Sequence, residues 1–339
     1  MNMKTWLGFL AVLFLLAPTA AAPAPAQEGK IVRGEYFGQA PPGEKAELFG
    51  DGILSTGLPE LNTVFFPGGK EVIFSVQCGD MKWALVMTRE ENGRWREPEV
   101  APFSGEYGGV DPFVSYDGNR VYFCSNRPLE DGGPAKTDSD IWYVDRTGSG
   151  WSRPVRMDAP VNSEAHEFYP TLTRSGTIYF QSRRPGGIGS SDIYRTELAD
   201  GRYVKTECLP EPVNSGGFEG DALIAPDESY IIVSTSRGSQ PMAADLYISF
   251  RTAEGKWTDL VNMGPGINGP GAENCQMLSP CGKYLFFTGR RYKPEIAHAT
   301  YAELKAKHNE ALNGLGDSFW VDATVIEKFR PGAAAGTNP

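Results

Sequence analysis

Four glutamates occupy matching places along the chain: Glu60, Glu167, Glu219 and Glu273, with Gly109 in the fifth place. Gathered into a ring, such carboxylates would offer the oxygen ligands that a hard cation such as Ca²⁺ takes, or a seat for a cationic ligand. The other reading is a set of carboxylates that accept backbone or hydroxyl hydrogen bonds between repeated units. Repetition favours that second reading, because a residue present in nearly every unit serves the construction that all units share. His166 is different. It occurs in one copy only, between Glu164 and Glu167, where it has the chemistry of a proton donor or ligand beside carboxylates. Glu60, His166, Glu167, Glu219 and Glu273 are therefore the candidate ligand-binding residues, and no catalytic residue is assigned.

A second set recurs with them. Arg127, Arg184, Arg237 and Arg291 are matched by Asp140, Asp192, Asp245 and Asp317, while the first copy has Cys78 in place of Arg. Guanidinium suits bidentate pairing with carboxylate, so each Arg–Asp pair is expected to clamp its own connecting loop. The Gly-rich run "RRPGGIGSSD" lacks the Gly-Lys-Ser/Thr ending of a phosphate loop and reads as a turn.

These residues sit inside a repeat. "TVFFPGGKEVIFS", "PFVSYDGNRVYFC", "PTLTRSGTIYFQ", "ALIAPDESYIIVS" and "QMLSPCGKYLFFT" are each an apolar strand, a polar turn and a second alternating strand. A third strand follows in "MKWALVM", "DIWYV", "DIYRT", "DLYIS" and "DSFWV". A fourth begins at Trp95, Trp151, Tyr203 and Trp257, spaced 56, 52 and 54 residues apart. Four short antiparallel strands at this period predict an all-β fold, a β-propeller of four-stranded antiparallel blades. Five blades fit best; six would need a blade assembled from segments that read as extensions. The fifth copy lacks its fourth strand, and the N-terminal "AELFGDGILSTGLPELN" supplies one, closing the ring and hiding both edges. "TYAELKAKHNEALNGLG" opens with Thr300 and Glu303 in capping-box spacing, which predicts a helix over about 300–314, between the second and third strands of the last blade.

"PVNSEAHEFYPTLTRSGTIYFQSRRPGGIGSSDIY" resembles the WD-like repeat of TolB-type and OmpA-associated periplasmic propellers. The shared pattern is an Asn-Ser/Thr loop, a Glu, a Pro, a turn, an aromatic strand, Ser-x-Arg-x-Gly-Gly and Asp-Ile-Tyr. It covers all five copies, roughly residues 45 to 330. That resemblance implies a binding or scaffold module with no shared catalytic site. The expected function is an exported, non-enzymatic scaffold for a protein, peptide or glycan of the cell envelope. The alternative is a carbohydrate-active hydrolase or lyase using paired carboxylates, with Glu167 and either Glu219 or Glu273 as the nearest pair.

Bulk composition bounds these readings. Lys4, an apolar run from Trp6 to Leu16 and "PTAAAPAPAQ" describe a secretory signal peptide over residues 1–26, with Ala22 and Ala26 both fitting as cleavage sites. The expected address is periplasmic or secreted, with residues 27–330 as one domain, 331–339 a disordered tail, and no membrane span after cleavage. Without the leader, which holds one Lys and no acid, the net charge is −11. An acidic chain has no electrostatic attraction to nucleic acid. Five cysteines, 78, 124, 208, 275 and 281, are too few and scattered for a disulfide framework, and Cys-x-x-Cys is absent. No metal site or cofactor is assigned beyond the Ca²⁺ option, and a monomer is expected.

Overall fold

The computed structural model describes residues 32–332, apart from 78, 80–81, 131, 238–243 and 294–298. The expected signal peptide and nearly all of the tail lie outside the described residues. Each copy of the repeat folds as an antiparallel meander, and five such sheets make a β-propeller. The innermost strands are Glu60–Phe65, Val110–Val114, Glu167–Leu172, Glu219–Ile224 and Glu273–Leu278. They pack on one another around the axis and are almost wholly buried, polar residues such as Asn62, Glu167 and Gln276 included.

The second strands are Glu71–Gln77, Arg120–Ser125, Ile178–Ser182, Tyr230–Thr235 and Tyr284–Gly289. The third are Trp83–Glu91, Asp140–Thr147, Asp192–Ala199, Asp245–Phe250 and Asp317–Asp322. Outer strands are short where Pro98 and Pro154 interrupt them, because proline cannot donate to the ladder. Blade 3 has no proline there, and Arg202–Cys208 runs unbroken.

Glu47–Leu48 pairs antiparallel with Asp317–Asp322, so the N-terminal segment is the outermost strand of blade 5 and closes the ring. An aromatic cluster seals this junction: Phe49 lies 4.7 Å from the Trp320 ring and 4.9 Å from Phe286. The helix Tyr301–His308 lies between the second and third strands of blade 5, with Thr300 and Glu303 forming the capping box. It is shorter than 300–314. Asn313 donates its side-chain amide to the His308 carbonyl at 2.8 Å, and residues beyond Asn309 turn back toward blade 5 instead of continuing the helix. Among the described residues no helix is long and apolar enough to cross a membrane.

Candidate functional site

The repeated glutamates open the innermost strands, but they are sealed inside the protein. Glu167 is 0% exposed. It accepts from the Ser163 amide at 3.0 Å, the Ser163 and Ser182 hydroxyls at 2.5 and 2.9 Å, and Arg184 at 3.0 Å. Glu219 repeats the arrangement with Ser215, Thr235 and Arg237. Glu273 keeps Arg291 and the Gly269 amide, but glycine replaces the serine and brings no hydroxyl. One Glu273 oxygen is buried with no partner among the described residues, and burial pushes its carboxyl up to about 7. Glu60 has Thr56 as donor but no cation partner among the described residues, and burial pushes it up to about 8.

The Arg set therefore meets the Glu set, and the expected Arg–Asp clamps do not form. Both carboxylates flank the second strand: Glu167 and Asp192 are register partners of Ser182. On the Glu side the Arg184 guanidinium also reaches the carbonyls of Pro160 and Val161, on the loop arriving from blade 2. Arg237 likewise takes the carbonyls of Pro212 and Val213, and Arg291 that of Ile267. Arg127, whose blade has Gly109 at the Glu position, donates to the Phe103 carbonyl at 3.0 Å and lies over the Tyr107 ring.

The Asp set binds within its own blades instead, to the connecting loop or to the outer strand. Asp192 accepts from the Ile188 and Gly189 amides at 3.0 and 3.1 Å. The loop wraps so closely that a Cβ on Gly187 would strike the Asp192 carboxylate, and one on Gly189 the Gly217 carbonyl. That accounts for the glycine-rich run. Asp140 pairs with Lys136 and Arg156, Asp245 accepts from Asn262, and Asp317 from the Leu312 amide. Burial pushes Asp317 up to about 6.

An asparagine opens the loop before each clasped glutamate, as Asn-Ser in blades 3 and 4 and as Asn-Gly in blade 5. Asn162, Asn214 and Asn268 accept from the amides of Ile141, Ile193 and Leu246 and donate back to the carbonyls of the same residues. Each amide side chain thus pairs like a short strand with the third strand of the preceding blade. Asn, Glu and Arg together form a clasp between neighbouring blades.

The position that varies lies two residues further on. Asn62, Asp111, Tyr169, Asp221 and Cys275 each sit at the ladder irregularity of an innermost strand with φ of 57, 56, 52, 40 and 54°. Asn and Asp tolerate this left-handed region better than most residues. The five side chains form a ring about the axis. The Cys275 amide donates to Asp221 at 3.2 Å. Tyr169 is wholly buried, and its hydroxyl spans from blade 3 to the Gln276 carbonyl of blade 5 at 2.7 Å, plugging the channel. Burial pushes Asp221 up to about 6; burial and the nearby Asp221 raise Asp111 well above the carboxylate range.

Above this ring, on the clasp face, opens a cavity of about 470 Å³. Asp111 and Asp221 line it together with Lys82, Trp83, Lys136 and Phe168. None of the four ring glutamates does. His166 stacks against Phe168 at 5.4 Å and 13°, and its Nδ1 accepts from the Ser139 amide at 3.2 Å. It positions an aromatic wall of the cavity. Cys124, Cys208, Cys275 and Cys281 are free thiols, so Cys275 and Cys281 form no bridge. Among the described residues, no group of three His, Cys, Asp or Glu side chains is placed to hold a metal ion.

No family model and no curated protein matches the sequence. Solved structures similar to it include TolB from Acinetobacter baumannii, at a TM-score of 0.44 and 15% identity over 77% of this chain and 54% of that one. The chain thus spans about half the length of that TolB. An Agrobacterium tumefaciens protein assigned as TolB gives 0.45 and 16% over 70% and 71%. An α-L-arabinofuranosidase from Lactobacillus brevis gives 0.47 and 12% over 79% and 91%. TolB-like propellers and a hydrolase are both among the structural neighbours.

Proposed function

We propose that the chain is an exported binding propeller that takes a hydroxyl-rich ligand, a glycan, in the cavity on the clasp face. One observation carries this reading. The cavity above the ring, where residue types differ from blade to blade, sets the aromatic side chains Trp83 and Phe168 beside the carboxyls Asp111 and Asp221. Aromatic faces cover the apolar side of a sugar ring, and carboxyls take its hydroxyls. Function on a repeat fold resides where the repeats differ, and here they differ at the axis. Calorimetry of the purified protein against a panel of envelope glycans tests the reading. Saturable binding lost in Trp83→Ala and Asp221→Asn supports it; a panel without any binder overturns it. Export rests on the leader over residues 1–26, and the N-terminal residue of protein recovered from fractionated cells tests it.

A second reading has its own observation. Asp221, with a carboxyl at about 6, lines the same cavity as the more strongly raised Asp111. An acid poised near neutral pH beside a second carboxyl is suited to general acid–base chemistry. These two, and not Glu167 with Glu219 or Glu273, carry this reading, because none of those three glutamates lines the cavity. Glycan turnover lost in Asp221→Asn with folding intact would select hydrolysis over binding.

A further inference from the structure

The channel has a second mouth, on the face formed by the turns between first and second strands. There the innermost strands of blades 1, 2, 4 and 5 enclose a cavity of about 320 Å³. Its wall includes Val64, Phe113, Val114, Leu223 and Met277, each 2–7% exposed. Tyr169 bonds across the axis, and among the described residues this cavity and the acidic one share no lining residue. Among the described residues no carboxylate lines it.

Blade 3 contributes a single cation. Arg174, on the turn of that blade, borders the cavity with its guanidinium 4.8 Å from the centre of the Tyr116 ring. Both partners are held in place. The Arg174 amide donates to the Pro226 carbonyl at 2.9 Å, and the Tyr116 hydroxyl to the Leu172 carbonyl at 2.7 Å. Arg174 has no ion pair among the described residues, although most arginines bordering the blades do. The nearby acid Asp227 accepts from the Ser229 amide and lies in the field of Arg330.

An apolar chamber with one unneutralised guanidinium at its rim is complementary to an apolar body with one anionic head. A cavity of this size falls at the small end of ligand sites, ~300–1,000 Å³. We propose that it binds a small amphiphilic monocarboxylate, with an aliphatic or aryl body against Leu223 and Met277 and the carboxylate on Arg174. Guanidinium is the side chain best shaped for a carboxylate, and its stacking on Tyr116 preorganises it.

The test is titration calorimetry of the purified full chain with decanoate, and with decyltrimethylammonium as the cationic counterpart. Saturable 1:1 binding of decanoate, absent for the cation, is expected. Arg174→Met should weaken decanoate about ten-fold or more, as loss of a charge-assisted pair does. Val114→Trp, which fills the cavity and leaves Arg174 in place, should abolish binding. Should that variant fail to fold, photo-crosslinking of a diazirine-bearing decanoate to the wild-type chain replaces it, with adducts expected at Leu223 or Met277. Absence of saturable heat, equal affinity in wild type and Arg174→Met, or adducts confined to other surfaces would each overturn the proposal.

Discussion

Arg184 donates to Glu167 at 3.0 Å and, from the same guanidinium, to the carbonyls of Pro160 and Val161 on the loop from the preceding blade. The carboxylate is fully buried and the Arg side chain 14% exposed. Removing one member of such a pair strands the other charge away from water. Arg184→Met is therefore expected to lower unfolding free energy by about 3–5 kcal/mol. The double variant Glu167→Gln/Arg184→Met should lose less than the sum of the two single changes, because the stranded charge has gone. Urea unfolding of the four proteins checks this; strict additivity would show that the two side chains act independently.

Much of this architecture could be read from the residues. Two-residue alternation around polar turns predicts hairpins, and the missing fourth strand of the last copy predicts the N-terminal closure made by Glu47–Leu48. The clasp was half legible. Recurrence of Arg with Asp indicated a pair, but Arg lies within reach of two carboxylates, and only the positions of the Pro160 and Val161 carbonyls decide for Glu167. Burial of the glutamates was not visible, since a repeated acid looks the same whether it faces water or Ser163. Nor was the central ring. A left-handed residue inside a strand leaves no mark on an alternating pattern, and Tyr169 and Cys275 are not residue types that announce it. The variation of that one column, from Asn62 to Asp111 to Tyr169, was the available signal.

Glu60 lacks the arginine that its counterparts have, and its carboxyl stands at about 8 because burial disfavours the charge. Between about 4.5 and 8 the folded chain holds a proton there that the unfolded chain has released. By linkage, stability then falls as pH rises through this window, is undiminished below it and reaches its full loss above it. Glu60→Gln should remove that slope, leaving the variant more stable than wild type at pH 9 by on the order of a few kcal/mol, with little difference at pH 4. Unfolding midpoints across the range measure it. Parallel profiles for the two proteins would refute the assignment.

Closure of the ring depends on Phe49. Its ring is 0% exposed among Phe37, Phe65, Phe286 and Trp320, rings from the N-terminal segment, blade 1 and blade 5. Phe49→Ala empties the centre of that cluster and is expected to cost about 3–5 kcal/mol. Leu129→Ala, at a side chain 70% exposed, should cost almost nothing. Amide exchange adds a local readout. Faster exchange in Asp317–Asp322 than in the strands of blade 3 is expected, since Glu47–Leu48 protects only that edge.

The last prediction concerns the central carboxyls, whose causes of perturbation differ. Asp221 stands at about 6 through burial, partly opposed by the Cys275 donors, whereas Asp111 is raised by burial and also by the charge on Asp221. The two causes separate by substitution. In Asp111→Asn, Asp221 should still titrate near 6, because no charge was removed from it at that pH. In Asp221→Asn, Asp111 should move down yet remain above an ordinary carboxyl, because burial persists. Carbon-13 carboxyl shifts followed from pH 3 to 9 resolve both. The folded chain again retains a proton that the unfolded chain loses, so wild-type stability should fall as pH rises from about 4 to 6, and Asp221→Asn should flatten that step. An Asp221 that returns to the ordinary carboxylate range in Asp111→Asn would mean that repulsion, and not burial, holds its proton.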